Sequence, residues 1–542
     1  MRATRILALA LAGAALVARA ATAQGPAISA HEIDLHLGYL SSDRLEGRAP
    51  ATRGGRMATQ YIAEQLRAYG VQPGAGGSYF QKVPIDVVGA DPASIGVGVS
   101  GRATGTLRYP DDVVVWAGSA SNNVDVRSEI VFVGYGAAAP EYRWDDFKGV
   151  DLRGKVLLVL VNDPPAPAGE PNLFGGRAMT YYGRWTYKFE EAERRGAVGM
   201  LIVHTTERAG YPWHTVVGSW AKEQRMLPRD PALPRPLGFR GWITDSAATA
   251  VLAQAGLDLA ELRRRAATRE FRPVPTGVML RVGFRSRVEH LESENVVGVI
   301  RGSDARLRDQ AVALSAHWDH LGIGPAVNGD SIYNGAEDNA SGVADLLAVA
   351  HAAARRPAPK RSLLFVFVTA EESGLLGSDA FARNPTLPIA SIVANLNVDG
   401  GNVLGVTRDF RVLGDTKSTL GPMFARMIAA HGWRISPDEH PERGAFYRSD
   451  HFSFARAGVP SVSIGAGNDY EGKPAGWGVQ QQEDYTEHRY HQPSDEYRAD
   501  FDLRGAVQLS TLVLDFATQI ANATTLPQWN RDAEFASIRP PR

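Results

Sequence analysis

The chain contains no cysteine. That absence excludes thiol nucleophiles, thiolate metal sites and disulfides together, so any metal must be held by His, Asp and Glu. A surplus of either charge is missing as well: 58 Lys and Arg stand against 59 Asp and Glu, a net charge of -1. Phosphate binding needs a basic excess, so nucleic acid is not an expected partner. After the amino terminus no stretch reaches the roughly 18 uninterrupted apolar residues of a membrane span, and no membrane anchor is expected. What is present is ordinary globular usage, 44% hydrophobic and 22% charged over 542 residues. Such usage excludes a disordered or coiled-coil chain, and the length predicts two to four domains.

The first residues have their own character. Arg2 and Arg5 precede an apolar run over 6–17, and Ala21-Thr22-Ala23 has the small residues of a signal-peptide cleavage site. The expectation is a signal peptide over 1–23 and a secreted or periplasmic protein.

Residues 28–84 read as a helical entry, with apolar residues at helical spacing over 57–66 and Gly70 as the stop. Residues 109–285 change style. Short strands are predicted over 113–116, 129–133, 155–161 and 199–203, with a helix over 189–195. His204 and His214 fall here and read as structural. From Asn295 apolar strands over 296–300, 312–316, 363–369, 392–397 and 460–464 alternate with helices over 341–354, 419–431 and 503–520. That alternation predicts an α/β domain around a largely parallel sheet. The tail after Ala523, with Pro527, Pro540 and Pro541, reads as poorly ordered, and no internal repeat is found.

Ligand-type residues collect where these strands end, which is where open α/β sheets place their sites. The groups are His317-Trp318-Asp319-His320, then Glu337-Asp338-Asn339 opening a helix, then Glu371-Glu372, Asp399, and finally His491. Each has a bland reading. A histidine at a strand end is commonly a hydrogen-bonded loop residue, and Asp338 or Asn339 could simply cap the helix. Adjacent acids are usually solvated. Glu371 and Glu372, however, directly follow a strand that should be buried on both faces, where unpaired carboxylates are costly without a cation. Taken jointly, the groups read as a metal site.

The ordered set H-x-D-H, G-x-x-D-N-x-S-G, paired Glu, N-x-D and H-x-P over 295–520 resembles the dizinc exopeptidases of metallopeptidase clan MH, which include leucyl-type aminopeptidases and glutamate carboxypeptidases. Residues 40–48 resemble the family's N-terminal region, and 109–285 resemble an inserted protease-associated domain. The resemblance implies an α/β fold with a mixed, largely parallel sheet sandwiched by helices and a β-rich insertion. The implied domains are 24–108, the N-terminal part of the peptidase; 109–285, the insertion; 286–525, the catalytic domain; and 526–542, a tail. It implies two Zn2+ ions, with Asp338 bridging, His317 and Asp399 on one, and Glu372 and His491 on the other. It implies Glu371 as general base and Asp319 as the carboxylate orienting His317. Zinc accepts such nitrogen and oxygen ligands, and two ions about 3.5–4 Å apart can share a carboxylate.

The same resemblance, carried by residues 448–454 and 458–460, places Asp450 and His451 either in the lining of the substrate pocket or in its structural support; Tyr447 reads as an oxyanion donor or, more simply, as a packed aromatic. His320 is at most an outer contact, and Glu337 reads as a solvent-facing acid. The implied activity is aminopeptidase hydrolysis of peptide or protein N-termini. Alternatives are glutamate-carboxypeptidase-like cleavage, for which Arg443 and Arg448 are the candidate pocket arginines, glutaminyl cyclisation, and a non-catalytic binding protein. The last would have lost ligands, whereas all six of His317, Asp338, Glu371, Glu372, Asp399 and His491 are present.

Overall fold

The computed structural model describes residues 27–167 and 169–538. The expected signal peptide lies outside the described residues. One strand organises the rest. Val274–Ile300 runs for 27 residues, and its first half buries Val278, Leu280, Val282 and Phe284 on alternate positions. Period-two patterning of this kind sets one face of a strand against a core.

The carboxy-terminal half of that strand belongs to a sheet ordered Phe80–Ala90, Val274–Ile300, Ser362–Val368, Ala311–His317, Ile392–Asn397, Ser461–Ala466, Asp409–Leu413 and Arg434–Ser436. The four strands from Ser362–Val368 to Ser461–Ala466 are parallel, and antiparallel strands border them. Both central strands are buried along their whole length, as continuous apolar runs require. Val312, Leu314 and Ala316 face a core shared with helices Ala30–Leu40, Arg53–Ala68, Ser341–Ala354 and Arg504–Asn522. Ala311 and Ala313 face the other side, where Phe381 and Phe454 come from helices Leu376–Arg383 and His451–Arg456. The fold is therefore mixed α/β, with a largely parallel centre between helical layers.

The amino-terminal half of the long strand joins a second sheet. Its order is Thr104–Leu107, Gly96–Ser100, Val274–Ile300, Asn123–Phe132, Val156–Leu160, Gly199–His204, Phe239–Thr244 and Val113–Ala117. Four of these strands are parallel, and helices Trp185–Arg194, Asp245–Ala253 and Leu259–Ala266 cover the faces. The second sheet reaches back to Gly96, ahead of residue 109, and the long strand crosses residue 285 without a break. Residue 109 falls between two strands of the second sheet and residue 285 inside a continuous one, so neither position is an edge of that sheet.

The tail departs from expectation. Trp529 donates its indole N–H to the Gly458 carbonyl at 2.9 Å, and Phe535 is 1% exposed. No helix among the described residues is long and apolar enough to cross a membrane.

Candidate metal centre

The loops leaving the carboxyl ends of the parallel strands carry the site. His317 is the last residue of its strand, Glu371 and Glu372 lie three and four residues beyond Val368, and Asp399 lies two beyond Asn397. Asp338 sits in the single wide turn Ala336–Ala340 that precedes helix Ser341–Ala354. The turn starts at Gly335, φ +57, where a Cβ would fall 2.2 Å from the Asp338 carbonyl and 2.5 Å from the His320 ring. Only glycine fits so close an approach.

The side chains converge. His317 Nε2 is 3.2 Å from Asp338 Oδ1 and 3.3 Å from Asp399 Oδ1. His491 Nε2 is 3.2 Å from Asp338 Oδ2 and 3.0 Å from Glu372 Oε2. Three groups keep their ligand atoms within 4.8 Å of one another: His317, Asp338 and Asp399; His317, Glu371 and Glu372; and His320, Asp338 and Glu372. Asp338 thus presents one oxygen to each imidazole, which suits a carboxylate shared between two cations. The donor set is oxygen and imidazole nitrogen, largely buried, and it fits zinc.

The charges are strongly perturbed. Burial disfavours the His317 imidazolium, yet the Glu371, Asp338 and Asp399 carboxylates outweigh it and raise its pKa well above the usual histidine value. His491 behaves alike, its burial overcome by Asp338 and Glu372, and reaches about 10. Asp338 is lowered despite burial by its bonds to His317 and His491. Glu371 is raised well above the carboxylate range by burial, with Glu372 and Asp399 adding to the effect. Without a cation the neighbouring carboxylates favour the protonated forms of His317 and His491, and burial favours that of Glu371.

Several residues sit differently from expectation. The Asp319 carboxylate does not hold His317. The ring Nδ1 is 3.1 Å from the Asp319 backbone carbonyl and 3.9 Å from its Oδ1. Two residues on in a tight loop, the main chain is the nearer acceptor, and the carboxylate accepts the Glu371 backbone N–H at 3.1 Å instead. His320 is fully buried and brings Nδ1 to 2.7 Å from Glu372 Oε1, a closer role than its motif position suggests. Glu337 is only 15% exposed, pairs with Arg489 at 3.5 Å, and burial pushes its carboxyl to about 7.

The expected pocket residues are enclosed. Asp450 and His451 have no exposed surface; burial raises the Asp450 carboxyl to about 7 and lowers His451 to about 4. Tyr447 commits its hydroxyl hydrogen to Glu534 and receives one from Lys417 at 3.0 Å, which leaves no donor for a carbonyl oxygen at the site. His204 contacts the Tyr211 carbonyl at 2.9 Å amid aromatic rings and is structural.

Two residues gain importance from the structure. Asn339 Oδ1 accepts from Gly342 N at 3.0 Å, the capping bond expected of this position, and also from Gly400 N at 2.9 Å. Its amide donates to the Val398 carbonyl at 3.0 Å, tying the Asp338 turn to the Asp399 loop. Asp495 accepts from the Glu337 and Asp338 backbone N–H groups at 2.9 and 3.1 Å. The D-N pair and the H-x-P-x-D run carried these residues in view, but not their partners.

An α/β domain with a buried carboxylate–imidazole cluster at the ends of its parallel strands is arranged to hold metal ions. Residues 295–517 match the model of peptidase family M28. A vacuolar membrane protease of Candida dubliniensis is 35% identical over 116 residues, 21% of this chain and 11% of its own length. A probable leucine aminopeptidase 2 of Aspergillus fumigatus is 35% identical over 99 residues, 18% of this chain and 17% of its own. The chain thus matches only about a tenth to a sixth of the length of these curated relatives. Among solved structures, an aminopeptidase from Aneurinibacillus sp. strain AM-1 is 19% identical, covering 91% of this chain and 94% of its own, with a TM-score of 0.47.

Proposed function

We propose that this protein is a zinc-dependent exopeptidase acting as an aminopeptidase on peptide or protein N-termini. The observation that carries the reading is the division of Asp338, one oxygen to His317 and one to His491, with Glu371 among the converging groups. His317 and Asp399 would hold one zinc ion, Glu372 and His491 a second, and Asp338 both. Zinc bound there supplies Lewis-acid polarisation of a carbonyl and a more acidic water. Glu371 acts as general base, taking a proton from the attacking water and returning it to the departing amine. Asp319 holds the Glu371 backbone and so aims that side chain. Arg2, Arg5, the apolar run over 6–17 and Ala21-Thr22-Ala23 support export of the mature chain to the periplasm or beyond. The unit built on the second sheet reads as the inserted protease-associated domain.

The test is a panel of aminoacyl-nitroanilides and peptides, free and N-blocked, with and without a chelator. Chelation should abolish cleavage and zinc restore it, while N-blocking should prevent it. Efficient cleavage of blocked peptides from the carboxyl end, or cyclisation of a Gln-peptide without cleavage, would overturn the aminopeptidase reading. Glu371→Gln should keep its zinc yet lower turnover by about 10²–10⁴-fold; wild-type turnover would remove Glu371 from the mechanism.

A further inference from the structure

Arg48 is 1% exposed and lies far from the catalytic segment in sequence. Its Nε donates to the Trp318 carbonyl at 2.8 Å, and Nη1 to the carbonyls of Leu40 and Asn334, both at 2.6 Å. Nη2 donates to the Gly335 carbonyl at 2.9 Å. Burying a guanidinium whose hydrogen-bond acceptors are all neutral carbonyls is costly, because the nearby carboxylates offset its lost hydration only at a distance. Burial lowers its pKa to about 10 while Asp495, Asp319, Asp338 and Glu372 oppose that shift, so it stays charged at neutral pH.

The carbonyls it grips explain why such a group is kept. Trp318 lies between His317 and Asp319, and Asn334-Gly335 lead into the Asp338 turn. The same turn is gripped from its other side by Asp495, whose carboxylate takes the Glu337 and Asp338 N–H groups and whose carbonyl takes that of Ala336 at 3.0 Å. Carbonyls go to the cation and N–H groups to the anion. The Asn334 amide adds bonds to the Ser41 carbonyl at 2.8 Å and Asp43 Oδ1 at 2.9 Å.

We infer that Arg48 is a positioning residue for the metal centre: its guanidinium forks between the His317 loop and the Asp338 turn and fixes their separation, with Asp495 as the counter-grip. This rests on the zinc reading above. Arg48 touches neither ligand atoms nor substrate, and acts through main chain only. The planar fork matters more than the charge, since an ammonium has at most three donors and cannot span all four carbonyls.

The experiment is zinc affinity by chelator competition on full-length wild type, Arg48→Ala and Arg48→Lys, with circular dichroism on each. Arg48→Ala should bind zinc about 10- to 100-fold more weakly. Ethylguanidinium at tens of millimolar, the fragment deleted by the substitution, should restore most of that loss, and ethylammonium should not. Wild-type affinity in Arg48→Ala overturns the inference, as does a folded variant whose loss ethylguanidinium leaves unchanged. Should Arg48→Ala not fold, Arg48→Lys decides: weakening of at least tenfold in a folded chain supports the fork, and unchanged affinity overturns it. Failure of the wild-type chain to bind zinc would overturn the metal reading itself, and the clamp with it.

Discussion

Because each Asp338 oxygen faces a different imidazole, removing that one carboxylate disconnects both halves of the cluster. Asp338→Ala should therefore lose zinc altogether by elemental analysis, while Asp399→Ala should lose only part; full retention in Asp338→Ala would contradict the shared role. A second residue makes an acid-sensitive contribution independent of metal. His36 lies between the Tyr61 and Tyr69 hydroxyls, at 2.7 and 2.8 Å, and burial, aided by His351, lowers it to about 4. The unfolded chain protonates near the ordinary value of 6.5 while the folded chain refuses the proton. The stabilising contribution is thus complete above 6.5 and is lost as pH falls towards 4, about 2 kcal/mol between pH 7.5 and 5. Denaturant titrations of wild type and His36→Gln at both pH values should differ in their pH dependence by that amount. At this scale the sequence was most readable where chemistry is carried by side chains in short motifs, as at Glu371-Glu372. Arg48 escaped because its partners are carbonyls, which have no residue identity to read.

The loop between Ser362–Val368 and Leu376–Arg383 depends on one buried amide. Asn295 Oδ1 accepts the Thr369 N–H at 3.0 Å, and Nδ2 donates to the Gly377 carbonyl at 2.9 Å. A Cβ on Gly377 would fall 2.2 Å from the Thr369 carbonyl and 2.6 Å from Asn295 Oδ1. Gly377→Ala should cost about 1–3 kcal/mol by overpacking and displace Glu371 and Glu372. The check is denaturant unfolding beside turnover, and a loss of stability without any loss of turnover would show that the loop absorbs the strain. Element by element, the helix over 341–354 and the strand over 392–397 stand where apolar period placed them. Only the last residues of Val274–Ile300 were legible as a strand. Over 285–292 most residues are polar and none is buried, so the pattern that identifies a buried strand disappears midway.

Across the molecule, the tail contributes to holding the two halves together. The Phe535 ring packs 5.8 Å from Tyr181, which lies in sequence between the second-sheet strands Val156–Leu160 and Gly199–His204, and 6.1 Å from Phe452 beside the site. Glu534 receives Lys417 and Tyr447 close by. Phe535→Ala should cost about 3–5 kcal/mol, measured by denaturant unfolding; a cost under about 1 kcal/mol would mean the tail is not part of the core. Its prolines concealed this, because they report on backbone regularity and say nothing about burial. The long strand has a different kind of consequence. Since the two halves of the unbroken strand Val274–Ile300 are hydrogen-bonded into different sheets, the melting of one sheet frays the strand the other depends on and couples their unfolding. Heating should therefore give a single calorimetric transition whose van 't Hoff and calorimetric enthalpies agree, so that a chain with two separate cores unfolds as one cooperative unit.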